Sequence, residues 1–341
     1  SDLSRLLLEA ALLAEKGDDA GAEKALVQAT TLAPADLDPQ VQLTLLRLRR
    51  VEAAAREKGE TVKPAAVAAE VALLQKAAVA LPERGDIRYA QGYAHEIAGQ
   101  ADLALEDYRE ATRLDPLDGD SITALGALLL AKGLLDDAAR EFLRALDREP
   151  DDGIVLQNLA YVYDQQGKTK EALDAYQKLV KLEPKNARAW HGLGLALDAA
   201  GKGKESAVPL QKAVDLSPAT GRYHRDLGEA LVLNNRTQAA EAAFLKAVEL
   251  DPKDDAAWDA LGRTRREMKK YAESVEAYEK VVELRPKDED VHLMIAVLCH
   301  EFLKDWEKAV AHYNRYLALG GETPVEDWLA ECQAEIDKKK P

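Results

Sequence analysis

The prolines at 82, 116, 150, 184, 218, 252 and 286 are separated by 34 residues at every step, and Pro34 precedes Pro82 by 48, one period plus 14. Spacing this regular leaves few architectures open. Each period must be one small unit, and units that cannot bury an apolar face alone must stack on their neighbours. Around each proline the chain repeats a plan: RLDPLDGDSI from 113, DREPDDGIVL from 147, KLEPKNARAW from 181, DLSPATGRYH from 215, ELDPKDDAAW from 249 and ELRPKDEDVH from 283. Proline donates no backbone hydrogen bond and restricts the residue before it, so it closes a helix. Two residues later stand Asp118, Asp152, Asn186, Thr220, Asp254 and Asp288, all residue types that cap the start of the next helix. The motif is a joint between helices.

Composition agrees. Alanine and leucine dominate and only 5% of residues are aromatic, which favours helix over sheet. With 47% apolar residues in 341, a large interior can be buried. A net charge of −15 argues against nucleic acid as a general partner. No apolar run nears the roughly 20 residues of a membrane span, so no membrane insertion is expected. The abrupt start, SDLSRLLLEA, points to a trimmed or processed N-terminus. Two cysteines, Cys299 and Cys332, form no disulfide framework, and a cytoplasmic location is expected on that ground, with an exported or periplasmic one left open.

Three further rows share the period. Gly92, Gly126, Gly194, Gly228 and Gly262, with Ala160 and Ala296 in the same row, fall inside helices, where glycine costs about 1 kcal/mol against alanine. Close packing within each hairpin explains them, with Ala104, Ala138, Ala172, Ser206, Ala240 and Ser274 as the facing small row. Tyr108, Phe142, Tyr176, Leu210, Phe244 and Tyr278 would fill the space between neighbouring units. Gly17, Gly99, Gly133, Gly167, Gly201 and Asn235 mark the turn inside each hairpin, where a left-handed residue is needed. Lys269 breaks that row, which makes the turn of 255–288 the least secure.

In 187–220 the repeat reads Trp190, Leu193, Gly194, Leu197, Ser206, Leu210, Ala213, Pro218. Residues 221–254 give His224, Leu227, Gly228, Leu231, Ala240, Phe244, Ala247, Pro252, and 119–152 give Ile122, Leu125, Gly126, Leu129, Ala138, Phe142, Ala145, Pro150. This pattern resembles the tetratricopeptide repeat (TPR) over nearly the whole chain. The resemblance implies an all-α, right-handed superhelical solenoid of about nine hairpins: 3–36, 37–84, 85–118, 119–152, 153–186, 187–220, 221–254, 255–288 and 289–321. A capping helix and tail, 322–341, would follow, with Val325, Trp328, Leu329, Cys332 and Ile336 as its apolar stripe. The hairpin 37–84 carries the 14 extra residues. Asp38-Pro39 should begin a long helix, Gly59 break it and Pro64 start its return, with about two turns added to each helix. The last hairpin gains one residue near Leu303-Lys304-Asp305.

The six histidines have no metal-ligand spacing, and AGKGKES from 200 lacks both the spacing and the strand of a phosphate loop. No nucleophile with a base is recognisable, so no enzyme, cofactor or metal site is expected. His224 and His292 share a row with Trp190 and Trp258 and are expected to pack.

The resemblance implies that the first helix of each hairpin lines a concave groove that receives a protein or peptide. By register the groove would offer Tyr89, Tyr93, Glu96, Gln157, Asn158, Tyr161 and Asp164, then Arg188, His191, Arg222, Arg225, Arg263 and Arg266. Arginines there would meet an acidic or carboxylate-bearing segment, and the tyrosines would supply flat contact area. The opposing reading is that Arg222 with Asp226, Arg225 with Glu229 and Asp259 with Arg263 neutralise one another along their helices. A second surface is the insertion, with Arg47, Arg49, Arg50, Arg56, Lys58 and Lys63. The lysines of the family's chaperone-tail clamp are missing around Asn158, so that partner does not transfer. The function expected is a non-catalytic interaction scaffold. Its alternatives are the recognition arm of a larger enzyme or transport machine, since Leu6, Leu7 and Leu8 crowd the first helix without a polar cap, and a self-assembling scaffold.

Overall fold

A computed structural model describes residues 2–338, and among them every regular element is helical. The helices pair along the chain as α1 (Asp2–Glu15) with α2 (Asp19–Leu32), α3 (Leu37–Lys58) with α4 (Ala68–Ala80), α5 (Gly85–Ile97) with α6 (Ala101–Leu114), and α7 (Gly119–Ala131) with α8 (Leu135–Leu146). Next come α9 (Gly153–Gln165) and α10 (Thr169–Leu182), α11 (Ala187–Ala199) with α12 (Gly203–Leu216), and α13 (Gly221–Leu233) with α14 (Thr237–Leu250). The array ends in α15 (Asp255–Glu267) with α16 (Tyr271–Leu284), α17 (Glu289–Leu298) with α18 (Trp306–Leu319), and α19 (Glu326–Lys338). The chain divides into two compact units, Ser1–Gln166 and Gly167–Pro341, so α9 closes the first and α10 opens the second.

The joints form as the proline motif requires, with one exception. The side chains of Asp118, Asp152, Asn186, Asp254 and Asp288 each accept a backbone N–H from the first turn of the helix that follows. Thr220 makes no such bond, because its hydroxyl is 2.8 Å from that of Ser217. A ring nitrogen strengthens several joints. Trp190 Nε1 and Trp258 Nε1 donate to the carbonyls of Pro184 and Pro252, both at 3.0 Å, and His224 Nε2 lies 2.9 Å from the carbonyl of Pro218.

The glycine row serves packing and faces the small row, as where Ser274 Oγ donates to Gly262 O at 2.7 Å. The large row, however, lies mostly within the hairpin and not between neighbouring units. A Cβ at Gly92, Gly126, Gly228 or Gly262 would lie under 3.0 Å from the ring of Tyr108, Phe142, Phe244 or Tyr278 in the second helix of the same hairpin. The large side chain therefore enters the slot that glycine leaves, while Ala104, Ala138 and Ala240 are fully buried beside it. Gly194 receives Leu210 in the same way, and Gly192 receives the ring of Tyr176 from the preceding helix.

Left-handed residues close the turns at Gly17, Gly99, Gly133, Gly167, Gly201 and Asn235. Lys269, at φ +61°, makes the same turn, so the backbone geometry holds without glycine. In the last hairpin the extra residue is absorbed by a π-helical turn, Cys299–Leu303, followed by Lys304 at φ +56°.

The insertion is asymmetric. All the added helix lies in α3, which has 22 residues against 13 in α4. Asp36 caps α3, Gly59 ends it in the left-handed region, and Pro64 opens only a single 3₁₀ turn, Pro64–Ala66, before α4 starts at Ala68. The expected lengthening of both helices is therefore corrected. The run Glu60-Thr61-Val62-Lys63 carries too little helical pattern to extend α4, and Val67 anchors the return by full burial. At the other end α19 packs on α18, with Val325 and Cys332 fully buried, Leu329 and Ile336 against the same core, and Trp328 at the edge, its ring 6.1 Å from Tyr313. The final residues of the expected tail, 339–341, lie outside the described residues.

Candidate functional site

In the first unit, α5, α7 and α9 present successive copies of the same register. Tyr89 in α5 corresponds to Thr123 in α7 and Gln157 in α9, and Tyr93 corresponds to Ala127 and Tyr161. Small residues on the middle helix leave a depression of about 450 Å³, floored by Thr123, Ala124 and Ala127 and flanked by Tyr89 and Asn158. Exposed Leu117 and Ile154 and the charged Asp120, Arg148, Glu149 and Asp152 complete its border. Of the groove residues expected from sequence, Tyr89 and Asn158 meet here. Sequence reasoning omits the floor, although the register carries its signal, since Thr123 lies between Tyr89 and Gln157 and Ala127 between Tyr93 and Tyr161.

Tyr93 and Glu96 face elsewhere. With Glu52, Ala55 and Arg56 of α3 and the segment Glu60–Pro64 they line a second cleft of about 790 Å³. Tyr93 Oη donates to Glu52 Oε2 at 2.5 Å, and Tyr108 Oη donates to Glu96 Oε2 at 2.6 Å. Burial raises the Glu96 carboxyl above its ordinary range, and burial together with Glu52 holds the Tyr93 phenol well above its own. The structure thus joins residues from the two surfaces expected separately, since Arg56 and Lys63 line this cleft as well. Arg50 and Arg47 instead bind Glu23 of α2, Arg49 borders a small hollow beside α1 and α2, and Lys58 is exposed. Tyr161 is 44% exposed, and Gln157 and Asp164 are half-buried on the same helix.

The arginine zone of the second unit is largely self-neutralised. His191 is buried, with Nε2 2.7 Å from Asp226 Oδ2 and its ring stacked on Tyr223 at 4.5 Å. Arg225 bridges Asp226 at 3.1 Å and the capping Asp254 at 2.7 Å, and does not pair with Glu229 as the sequence spacing proposed. Arg222 lies 3.6 Å from Asp226, while Arg263 spans Asp259 at 3.0 Å and Glu229 at 3.3 Å. Arg266 donates to Met294 Sδ at 2.8 Å, and Arg188 stands exposed. Burial alone would raise the Asp226 carboxyl, but the His191 hydrogen bond and the Arg225 charge hold it below the usual range. These contacts fasten α11, α13 and α15 together across successive hairpins.

Among the described residues no group of three or more His, Cys, Asp or Glu is arranged to hold a metal ion, and no helix is long and apolar enough to cross a membrane.

Family profiles fall on this same array. A TPR repeat profile matches residues 160–201, one tetratricopeptide repeat profile matches 123–180 and 193–255, and another matches 85–116 and 256–288. The chain belongs to the tetratricopeptide-repeat family. As a TPR array it is a protein-interaction scaffold. No curated protein matches the chain. Among solved structures, MamA (41-end) from Desulfovibrio magneticus RS-1 is 26% identical over 50% of this chain and 97% of its own, with a TM-score of 0.48. YrrB, described as a TPR protein with an unusual peptide-binding site, is 20% identical over 54% of this chain and 95% of its own, with a TM-score of 0.49.

Proposed function

We propose that this TPR protein is a non-catalytic scaffold that holds a segment of a partner protein against its first helices, with the α5–α7–α9 depression as its principal contact. One observation carries this reading. Thr123 and Ala127 sit where the neighbouring hairpins place larger side chains, so a hollow opens beside Tyr89 and Asn158. An apolar side chain of the partner would cover Ala124 and Ala127 at roughly 25 cal/mol per Å² buried, while Asn158 and Tyr89 supply hydrogen bonds and a flat ring. The arginines of the second unit contribute less than their number implies, because their carboxylates are already in place.

A photo-reactive amino acid placed at Thr123 tests the proposal. Thr123 should yield a defined protein adduct, and the same group at Glu106, exposed on α6, should yield none. Equal adducts from both positions, or adducts from Glu106 alone, would remove the first-helix face as the site.

A further inference from the structure

Position 208 stands out in a row that is otherwise charged or alanine, Ala72 and Ala242 included. The equivalent places in the other second helices hold Glu106, Arg140, Asp174, Ala242 and Glu276, all exposed, whereas Val208 is an exposed branched apolar residue (75%). Singly exposed apolar residues are ordinary. This one borders a hollow of about 410 Å³ whose walls are Trp190, Ala207, Leu227 and Leu231.

The rim keeps one acid, Asp215, but neither of its cations holds a carboxylate among the described residues. Lys246 and Lys280 are held by Glu249 and Glu283 at 2.9 and 2.8 Å. Lys212 occupies their register, but Asp215, which replaces those glutamates, instead accepts from Gln211 Nε2 at 2.9 Å. Lys270 is answered by Glu241 at 2.6 Å. One repeat earlier Arg236 takes the lysine's place and Ala207 takes the glutamate's. Both Lys212 and Arg236 are exposed and have no ion-pair partner among the described residues, on a chain whose net charge is −15.

We propose that this hollow, on the second-helix side of the 187–220 and 221–254 hairpins, is a separate docking site for an acidic amphipathic segment of a partner protein. An apolar side chain of that segment rests between Val208 and Trp190, and its flanking carboxylates pair with Lys212 and Arg236. Charge complementarity chooses this occupant, because both cations on this rim lack a carboxylate among the described residues, whereas Lys246, Lys280 and Lys270 each hold one.

The test uses a fluorescein-labelled helical peptide with leucine on one face and glutamate on the other, together with a version carrying lysine for glutamate. Fluorescence anisotropy on the full chain should show salt-sensitive binding of the acidic peptide only, and the indole N–H resonance of Trp190 should shift on binding. Val208→Glu restores the charge of the row on an exposed position, should leave thermal unfolding unchanged, and should weaken binding by roughly tenfold or more. Ala207→Glu gives Arg236 an internal partner and should weaken binding severalfold, whereas substitution of Thr123 should change nothing. Failure of the acidic peptide to bind, equal binding of the lysine version, an unmoved Trp190 signal, or wild-type affinity in Val208→Glu would each overturn the assignment. The Thr123 adduct is read separately, so the first-helix proposal stands or falls on its own.

Discussion

Lys269→Gly should stabilise the protein, although it removes a charged side chain and adds the most flexible residue. Lys269 sits at φ +61° in the turn between α15 and α16, with its N–H bonded to Arg266 O at 2.9 Å and the following N–H bonded to Arg265 O at 2.8 Å. Gly201 makes the equivalent pair, Gly201 N to Asp198 O and Lys202 N to Leu197 O, both at 2.9 Å. The hydrogen bonds are therefore already optimal, and what differs is the Cβ. A side chain in the left-handed region costs about 1–2 kcal/mol, and glycine gives back about 0.5–1 kcal/mol through its freer unfolded chain. Lys269 is exposed and makes no ion pair among the described residues, so no contact is lost. The net gain should be about 0.5–1 kcal/mol. Urea unfolding followed by helical circular dichroism measures it, and amide exchange in α15 and α16 locates it. Lys269→Ala is the decisive comparison, since it removes the same charge but keeps the Cβ. Equal effects of glycine and alanine would refute the reasoning, and so would any loss of stability with glycine.

Asp226→Ala should cost about 3 kcal/mol, because it leaves His191 and Arg225 facing each other without the carboxylate that both engage; Asp226→Asn should cost less, and chemical denaturation ranks them. Acid should loosen the last hairpin selectively. His292 Nδ1 and His312 Nδ1 are 3.0 Å apart, and burial and the facing His292 push the His312 imidazole down to about 4. Glu279 opposes that shift and Lys308 adds to it, while Arg315 and Asp288 act on His292 in opposite directions. The folded value lies below the unfolded one, so His312 contributes fully above about pH 6.5 and its contribution falls as pH drops towards 4. For a half-buried group this amounts to about 2 kcal/mol across that window. Unfolding at stepped pH should show the slope, and His312→Gln should flatten it.

The array was legible because its determinants are local. A proline, a capping carboxylate two residues on, and a left-handed glycine each act within one turn of backbone, so Pro184, Asn186 and Gly201 could be placed from spacing alone. Side-chain partners were less accessible. Arg225 is four residues before Glu229, yet it reaches 29 residues ahead to Asp254, because stacking brings that cap nearer than its own helix does. His191 was expected at the surface and is buried, since Asp226 one repeat later draws it inward. The large row was expected between neighbouring units, but apart from Tyr176 its side chains fill the glycine slot of their own hairpin, because sequence shows which position is small and does not show which ring fills it. The added helix of the insertion was divided equally between two helices, when the turn residues after Gly59 favour only one. The first-helix hollow is written in Thr123 and Ala127 as an absence of bulk, a quieter signal than charge.

The long α3 shows where an array of this kind can vary freely. Its additional turns run along its own axis, and the proline count resumes at Pro82 as though nothing had been inserted. Lengthening a rung leaves the ladder's spacing alone. Such a chain can gain new surface sideways, one hairpin at a time, while every other unit keeps the neighbours it needs to stay folded.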